Sequence, residues 1–190
     1  MYKLKTLLLA VFLSSLAQLS LGQSSASILD KSPMDMCYYP VNYPILKINK
    51  KADDPLIARV IYGRPQKNGR VIFGDLVPYD VVWRAGANEA TEIEFFRDVK
   101  IDRKKVPKGR YTLYAIPGKE KWTLVLNKET DTWGAFGYDD KKDVLRIDVP
   151  TNTGTEILEV FTMCFEGTDK KKTDLMIGWD NITVHLPINW

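Results

Sequence analysis

The run Arg110-Tyr111-Thr112-Leu113-Tyr114-Ala115-Ile116, then Pro117-Gly118-Lys119-Glu120, then Lys121-Trp122-Thr123-Leu124-Val125-Leu126, decides the fold. Side chains of an extended chain alternate between two faces, so Tyr111, Leu113 and Ala115 share one side while Thr112, Tyr114 and Ile116 share the other. The Pro-Gly pair turns the chain between the two runs, and the whole reads as a β-hairpin. Outward from it, apolar residues recur at every second position over Leu56 to Tyr62, Glu92 to Phe96, Val144 to Val149, Ile157 to Phe165 and Leu175 to Trp179, followed by Ile182 to Leu186. Gly, Pro, Asn and Asp bound these runs, and no stretch after residue 22 has a convincing helical period. Many short strands with frequent turns make either a two-sheet sandwich or a closed barrel, and the sandwich is the commoner solution at this size. The expected fold is all-β, a two-sheet antiparallel β-sandwich carrying one long structured loop.

The beginning of the chain has a different character. A basic head, Met1-Tyr2-Lys3-Leu4-Lys5, precedes the apolar run Leu7-Leu8-Leu9-Ala10-Val11-Phe12-Leu13, which fades into Ser, Ala and Gln. This is the pattern of a signal peptide. A spanning helix needs roughly 20 apolar residues, and Ser14, Ser15, Gln18 and Ser20 interrupt this run, so no transmembrane segment is expected after processing. Ser20 and Gly22 suit the cleavage pockets, with Ser24 and Ala26 as a second choice. The expected division is residues 1–22 as signal peptide and residues 23–190 as one sandwich domain, exported to the periplasm or beyond the cell.

Removing residues 1–22 takes away two positive charges, Lys3 and Lys5, and lowers the formal charge from +3 to +1. Basic and acidic residues interleave along the rest. A nucleic-acid or anionic-membrane binder relies on a net basic field or a basic stripe, so neither partner is expected. The five tryptophans, Trp83, Trp122, Trp133, Trp179 and Trp190, supply a core. Cys37 and Cys164 remain in a compartment where a disulfide can persist. Paired, they would close a loop worth up to roughly 4–5 kcal/mol; unpaired, they are small apolar residues. Neither a cysteine nucleophile with its base nor a clustered metal-ligand set is visible, and no cofactor or metal is expected. His185 lies in the run Ile182 to Leu186 on the face opposite its apolar set. The lysines at 170–172 read as a solvated hairpin tip.

Between Gly63 and Thr91 the alternation stops, although apolar and aromatic residues remain frequent. Pro65, Gly69, Gly74, Pro78 and Gly86 exclude long elements there. Long ordered loops in small domains often carry function, and this one concentrates Arg64, Arg70, Trp83, Arg84, Asn88 and Glu89, the candidate site. Ile72, Phe73, Leu76, Val77 and Tyr79 are expected to pin it to the sandwich.

The segments Tyr62-Gly63-Arg64-Pro65, Gly69-Arg70, Ile72-Phe73-Gly74, Leu76-Val77-Pro78-Tyr79 and Trp83 to Thr91 resemble the signature of the bacterial family called domain of unknown function 2911. The likeness continues through Pro107 to Leu113, Ile116-Pro117-Gly118, Trp122-Thr123, Asn127-Lys128 and Trp133-Gly134. The resemblance implies an exported, β-rich protein; it brings no reaction, substrate or cofactor with it.

Two readings of the site stay open. In one, Arg84 pairs with Glu89, Asn88 caps a turn, and Arg64 and Arg70 bond to loop carbonyls, holding the loop in shape. In the other, the guanidinium groups of Arg64, Arg70 and Arg84 grip a carboxylate or phosphate while Trp83 supplies a flat apolar wall. The expected function is an exported, non-catalytic binding protein of the bacterial envelope, recognising a small anionic or glycan-like ligand, or another exported protein, through residues 63–91. One alternative is a glycan hydrolase using Glu89 with Asp75 or Asp80 across the scissile bond. Another is a structural partner in an envelope assembly, with Trp190 at the interface.

Overall fold

A computed structural model of the chain describes residues 30–190 apart from residues 53, 168 and 170, so the signal-peptide segment at 1–22 lies outside the described residues. In chain order the elements are β1 (Met34–Tyr39), α1 (Tyr43–Ile48), β2 (Ala58–Gly63), β3 (Glu92–Phe95), β4 (Val99–Ile101), β5 (Lys104–Val106), β6 (Gly109–Pro117), β7 (Lys121–Asn127), β8 (Asp143–Pro150), β9 (Asn152–Glu166) and β10 (Lys172–Asn189). The strands form two antiparallel sheets. One has the order β1-β2-β3-β6-β7-β8 and the other β5-β4-β10-β9, with no closure into a barrel. The protein is an all-β sandwich.

The deciding hairpin is β6–β7, in register from Thr112 opposite Asn127 to Pro117 opposite Trp122. Its turn requires a residue without a side chain at 118, where an added Cβ would stand 2.5 Å from the Lys121 carbonyl oxygen. Both faces of β6 are covered. Tyr111, Leu113 and Ala115 join the core between the sheets, while Tyr114 on the outer face packs with Ala90, Val125 and Tyr138 in a smaller cluster. The neighbouring β8 keeps a plain alternation, with Leu145, Ile147 and Val149 buried and Arg146 and Asp148 exposed.

β10 is long enough to span about 60 Å if straight, yet the Trp190 N–H donates to the Lys171 carbonyl at 3.0 Å. The strand therefore doubles back on itself. The reversal sits at Asp180, whose φ is 55°, between two register shifts against β9. This break divides the two runs read separately in the sequence, Leu175 to Trp179 and Ile182 to Leu186. Gly178 serves the close packing there, since a Cβ on it would lie 2.6 Å from Leu158 Cδ1 and 3.1 Å from Thr183 Cγ2.

Three strands were not expected. β4 and β5 have three residues each, too few for a period to show. β1 is an edge strand whose Met34 and Met36 face solvent, which blurs the contrast that alternation needs. The single helical turn α1 buries none of its residues, which is why no apolar period marks it. Of the lysine run, Lys171 sits in the turn before β10 and Lys172 opens that strand, both exposed.

Candidate functional site

Residues 64–91 form no regular strand, and isolated bridges fasten them to the sandwich: Gln66 with Val160, Trp83 with Ala115 and Glu89 with Trp133. The first part of the loop rests on β9. Pro65 O accepts from the Phe161 N–H at 2.9 Å, the Lys67 N–H donates to Glu159 O at 2.7 Å, and the Asn68 N–H donates to Glu159 Oε1 at 2.7 Å. Ile72 and Val77 are buried and Phe73 packs on the core, as expected of pinning residues; Leu76 is exposed.

The last part re-enters the six-stranded sheet beside β6. Trp83 exchanges two backbone hydrogen bonds with Ala115, at 2.7 and 2.9 Å, and residues paired this way point to the same face. Ala115 faces the core, so Trp83 does too. Its ring stacks on Trp179 at 6.1 Å and 14° and meets Trp122 and Phe161 edge-on at 6.1 and 5.2 Å. This corrects the view of Trp83 as a ligand-stacking wall. The residue is 9% exposed, its ring packed among core aromatics.

Beyond Trp83 the chain makes a tight reversal with Ala85 at φ 52° and Asn88 at φ 62°. The left-handed region costs an ordinary residue roughly 1–2 kcal/mol, so the surroundings must hold it. Three contacts do so. Thr91 Oγ1 donates to Ala85 O at 2.6 Å, Trp83 Nε1 donates to Gly86 O at 3.2 Å, and Gly63 lies so close that a Cβ on it would fall 2.4 Å from Ala87 O. Glycine at 63 is what lets β2 and the reversal touch.

A cleft of about 280 Å³ opens beside this reversal. Ser32, Pro65, Arg70, Leu76, Val77, Trp83, Arg84, Gly86, Ala87, Asn88 and Trp179 line it. The structure thus brings together four of the six sequence-predicted residues, Arg70, Trp83, Arg84 and Asn88. Ser32, Pro65 and Trp179 were missed, because they come from the start of the described chain, the loop's foot and the far half of the sandwich. No local pattern links them.

The three arginines differ in how they are partnered. Arg64 is absent from the cleft lining: its Nη1 donates to Asp35 Oδ2 at 2.9 Å, its Nη2 to Thr162 Oγ1 at 3.2 Å and its Nε to Phe161 O at 3.3 Å. Arg70 is turned back on its own loop, with Nε donating to Lys67 O at 3.0 Å and Nη2 to Gln66 O. These two follow the loop-holding reading. Arg84 follows neither half of it. Glu89 is exposed and lines a separate depression with Met34, Ile61 and Asp131, so the expected Arg84–Glu89 ion pair does not form. Among the described residues the Arg84 guanidinium has no salt-bridge partner, and its Nε is buried without a hydrogen-bond acceptor. Burial alone lowers its pKa below the ordinary arginine value, with no carboxylate to oppose the shift.

The carboxylates proposed for hydrolysis are not assembled. Asp75 is exposed, and Asp80 lines a third depression with Lys119 and Lys121, away from the one that Glu89 lines. His185, on β10, is half-buried with Nδ1 3.5 Å from Glu166 Oε2. Among the described residues no three His, Cys, Asp or Glu side chains are grouped to hold a metal ion, and no helix is long and apolar enough to cross a membrane. Cys37 and Cys164 are both free thiols.

The sequence pattern of one family, described as "Protein of unknown function (DUF2911)", matches residues 46–188. No curated protein and no solved structure matches the chain.

Proposed function

The chain belongs to the DUF2911 family, and we propose that it is an exported, non-catalytic binding protein that takes a small carboxylate- or phosphate-bearing ligand in the cleft beside residues 84–88. One observation carries this: Arg84, half-buried in the cleft wall, has no counter-ion and a buried, unaccepted Nε among the described residues. A desolvated cation without a partner is costly to keep, and an anion accepting from its planar fork would remove that cost. Asn88 and Ser32 line the same cleft and carry further hydrogen-bonding groups.

The size suits only a small ligand, since about 280 Å³ falls just under the range of ordinary ligand sites. An anion is favoured over a sugar because Trp83 is buried, stacked on Trp179 and met edge-on by Trp122 and Phe161, and so offers little ring surface for a sugar to stack on. Binding is favoured over acid–base chemistry because, among the described residues, the cleft lining contains no carboxylate, histidine or cysteine, the groups that most often move protons. Export, to the periplasm or outside the cell, rests on the basic head and apolar run of residues 1–22.

A protein partner is the second reading, favoured by Trp133 and Phe136. These two stand 62% and 89% exposed on the loop after β7, and paired exposed aromatics are typical docking anchors. Trp190 does not share in that surface, since its ring packs on Tyr39 at 5.1 Å.

Isothermal titration of residues 23–190 with inorganic phosphate, citrate, succinate and neutral monosaccharides tests the proposal. Heat with one of the anions, lost in Arg84→Gln, is the expected result. Binding of sugars only, or anion binding that Arg84→Gln leaves intact, would refute it.

A further inference from the structure

The two cysteines lie on strands far apart in the chain that the fold lays side by side. β1 is the terminal strand of the six-stranded sheet and β9 the terminal strand of the other, so together they border one open side of the sandwich. Contacts at two points along β1 fix how they lie against each other. Toward the start of β1, the Arg64 guanidinium holds Asp35 at 2.9 Å and Thr162 at 3.2 Å. Toward its end, the rings of Tyr39 and Phe165 meet with centroids 6.1 Å apart, and the Tyr39 hydroxyl donates to Asp169 O at 2.8 Å.

Cys37 is midway between Asp35 and Tyr39, and Cys164 falls between Thr162 and Phe165. Residues two apart on a strand face the same way. Cys37 therefore shares the face of Asp35, and Cys164 that of Thr162, the two residues bridged by one guanidinium. Cys37 also packs on the core between the sheets. The electrostatics agree with this placement: burial first, and then the neighbouring Cys164 sulfur, push the Cys37 thiol up to about 12.

We infer that Cys37 and Cys164 are the two halves of a cross-sheet disulfide, which closes the open side of the sandwich between β1 and β9 when an oxidant of the small-disulfide class is present. The reaction is two successive thiol–disulfide exchanges. The Cys164 thiolate attacks one sulfur of the oxidant, releasing a free thiol and leaving a mixed disulfide on Cys164. The Cys37 thiolate then attacks the Cys164 sulfur and releases the second thiol. Two protein thiols lose two electrons and two protons, and one small disulfide is reduced to two thiols. Cys164 goes first because it is the less deeply desolvated of the two, and it gives up only a weak contact, 4.0 Å from Sγ to Glu166 Oε1. High thiol pKa values make both steps slow near neutral pH. Neither sulfur lines the Arg84 cleft, so the inference stands apart from the anion-binding proposal.

Residues 23–190, purified under reducing conditions, are incubated with oxidised glutathione at pH 8.5, quenched with iodoacetamide, and analysed by intact-mass and peptide mass spectrometry. The expected product is a monomer that has lost two hydrogens, takes up no iodoacetamide, and yields a peptide pair joined through Cys37 and Cys164. Its melting temperature should rise by roughly 10 °C over the reduced form. Cys37→Ala and Cys164→Ala should each abolish both changes, and the wild-type mass alone decides the question if either variant folds poorly. Two glutathione adducts with no internal link, full alkylation of both thiols at equilibrium, or a link between two chains would each overturn the inference.

Discussion

Replacing Arg84 with methionine should make the empty protein more stable and unable to bind anions. The guanidinium is half-buried, unpaired among the described residues, and has a buried Nε with no acceptor. Leaving such a donor unsatisfied costs roughly 1–3 kcal/mol. Methionine keeps most of the alkyl packing and removes the donor, so after allowing for imperfect fit the variant should gain about 1–2 kcal/mol. For a domain of this size that is a rise of about 2–8 °C in melting temperature. Ligand reverses the order. At 100 times its dissociation constant an anion adds about 2.7 kcal/mol to the wild type and nothing to Arg84→Met. Differential scanning fluorimetry with and without the anion reads both effects. A loss of about 3 kcal/mol in the empty variant, the cost of orphaning the partner of a buried ion pair, would refute the claim that Arg84 is unpartnered. An unchanged response to ligand would refute its role in binding.

Four further outcomes follow from the same structure. Trp83→Ala should cost about 3–5 kcal/mol in urea denaturation, because the ring belongs to the core with Trp122, Phe161 and Trp179; a loss under 1 kcal/mol would place it outside. Gly63→Ala should destabilise by more than about 2 kcal/mol and abolish anion binding, since its Cβ would meet Ala87 O at 2.4 Å; an undisturbed thermal melt would contradict that close approach. Arg64→Met should cost only about 1 kcal/mol, its ion pair with Asp35 being a third exposed, and should speed hydrogen exchange in β1 more than elsewhere. In the reduced protein, stability should fall as pH rises from 9.0 toward about 12. Burial holds Cys37 at about 12 against an ordinary 9.0, and Tyr62 also up to about 12, so across that window the native state keeps protons that the unfolded chain loses. Flat urea midpoints over the range would refute it.

Legibility in the sequence followed the range of the interaction involved. Tyr111, Leu113 and Ala115 announce their strand because alternation is written between neighbours two apart, and the same holds for β7, β8 and the two arms of β10. Val99–Ile101 and Lys104–Val106 are strands only because neighbouring strands pair with them. The loop was visible by its broken period, and four of its six nominated residues do line one cleft. Their roles were not visible. Arg84 and Glu89, five apart, look like partners on paper, but the left-handed turns at Ala85 and Asn88 carry Glu89 to its bridge with Trp133.

The sequence by itself therefore determined an all-β sandwich, an irregular segment between β2 and β3, and the family to which the chain belongs. Local patterning encodes these, because the pleat and the turn depend on residues only a few places apart. Tertiary structure alone decided that Arg64 would be neutralised by Asp35, that Trp83 would be consumed by the core, that Arg84 would be left charged in a cleft, and that Cys37 would come alongside Cys164. Each of these depends on which distant strands end up adjacent, and the free energy of a charge or a thiol is set by those neighbours and by how much water they exclude.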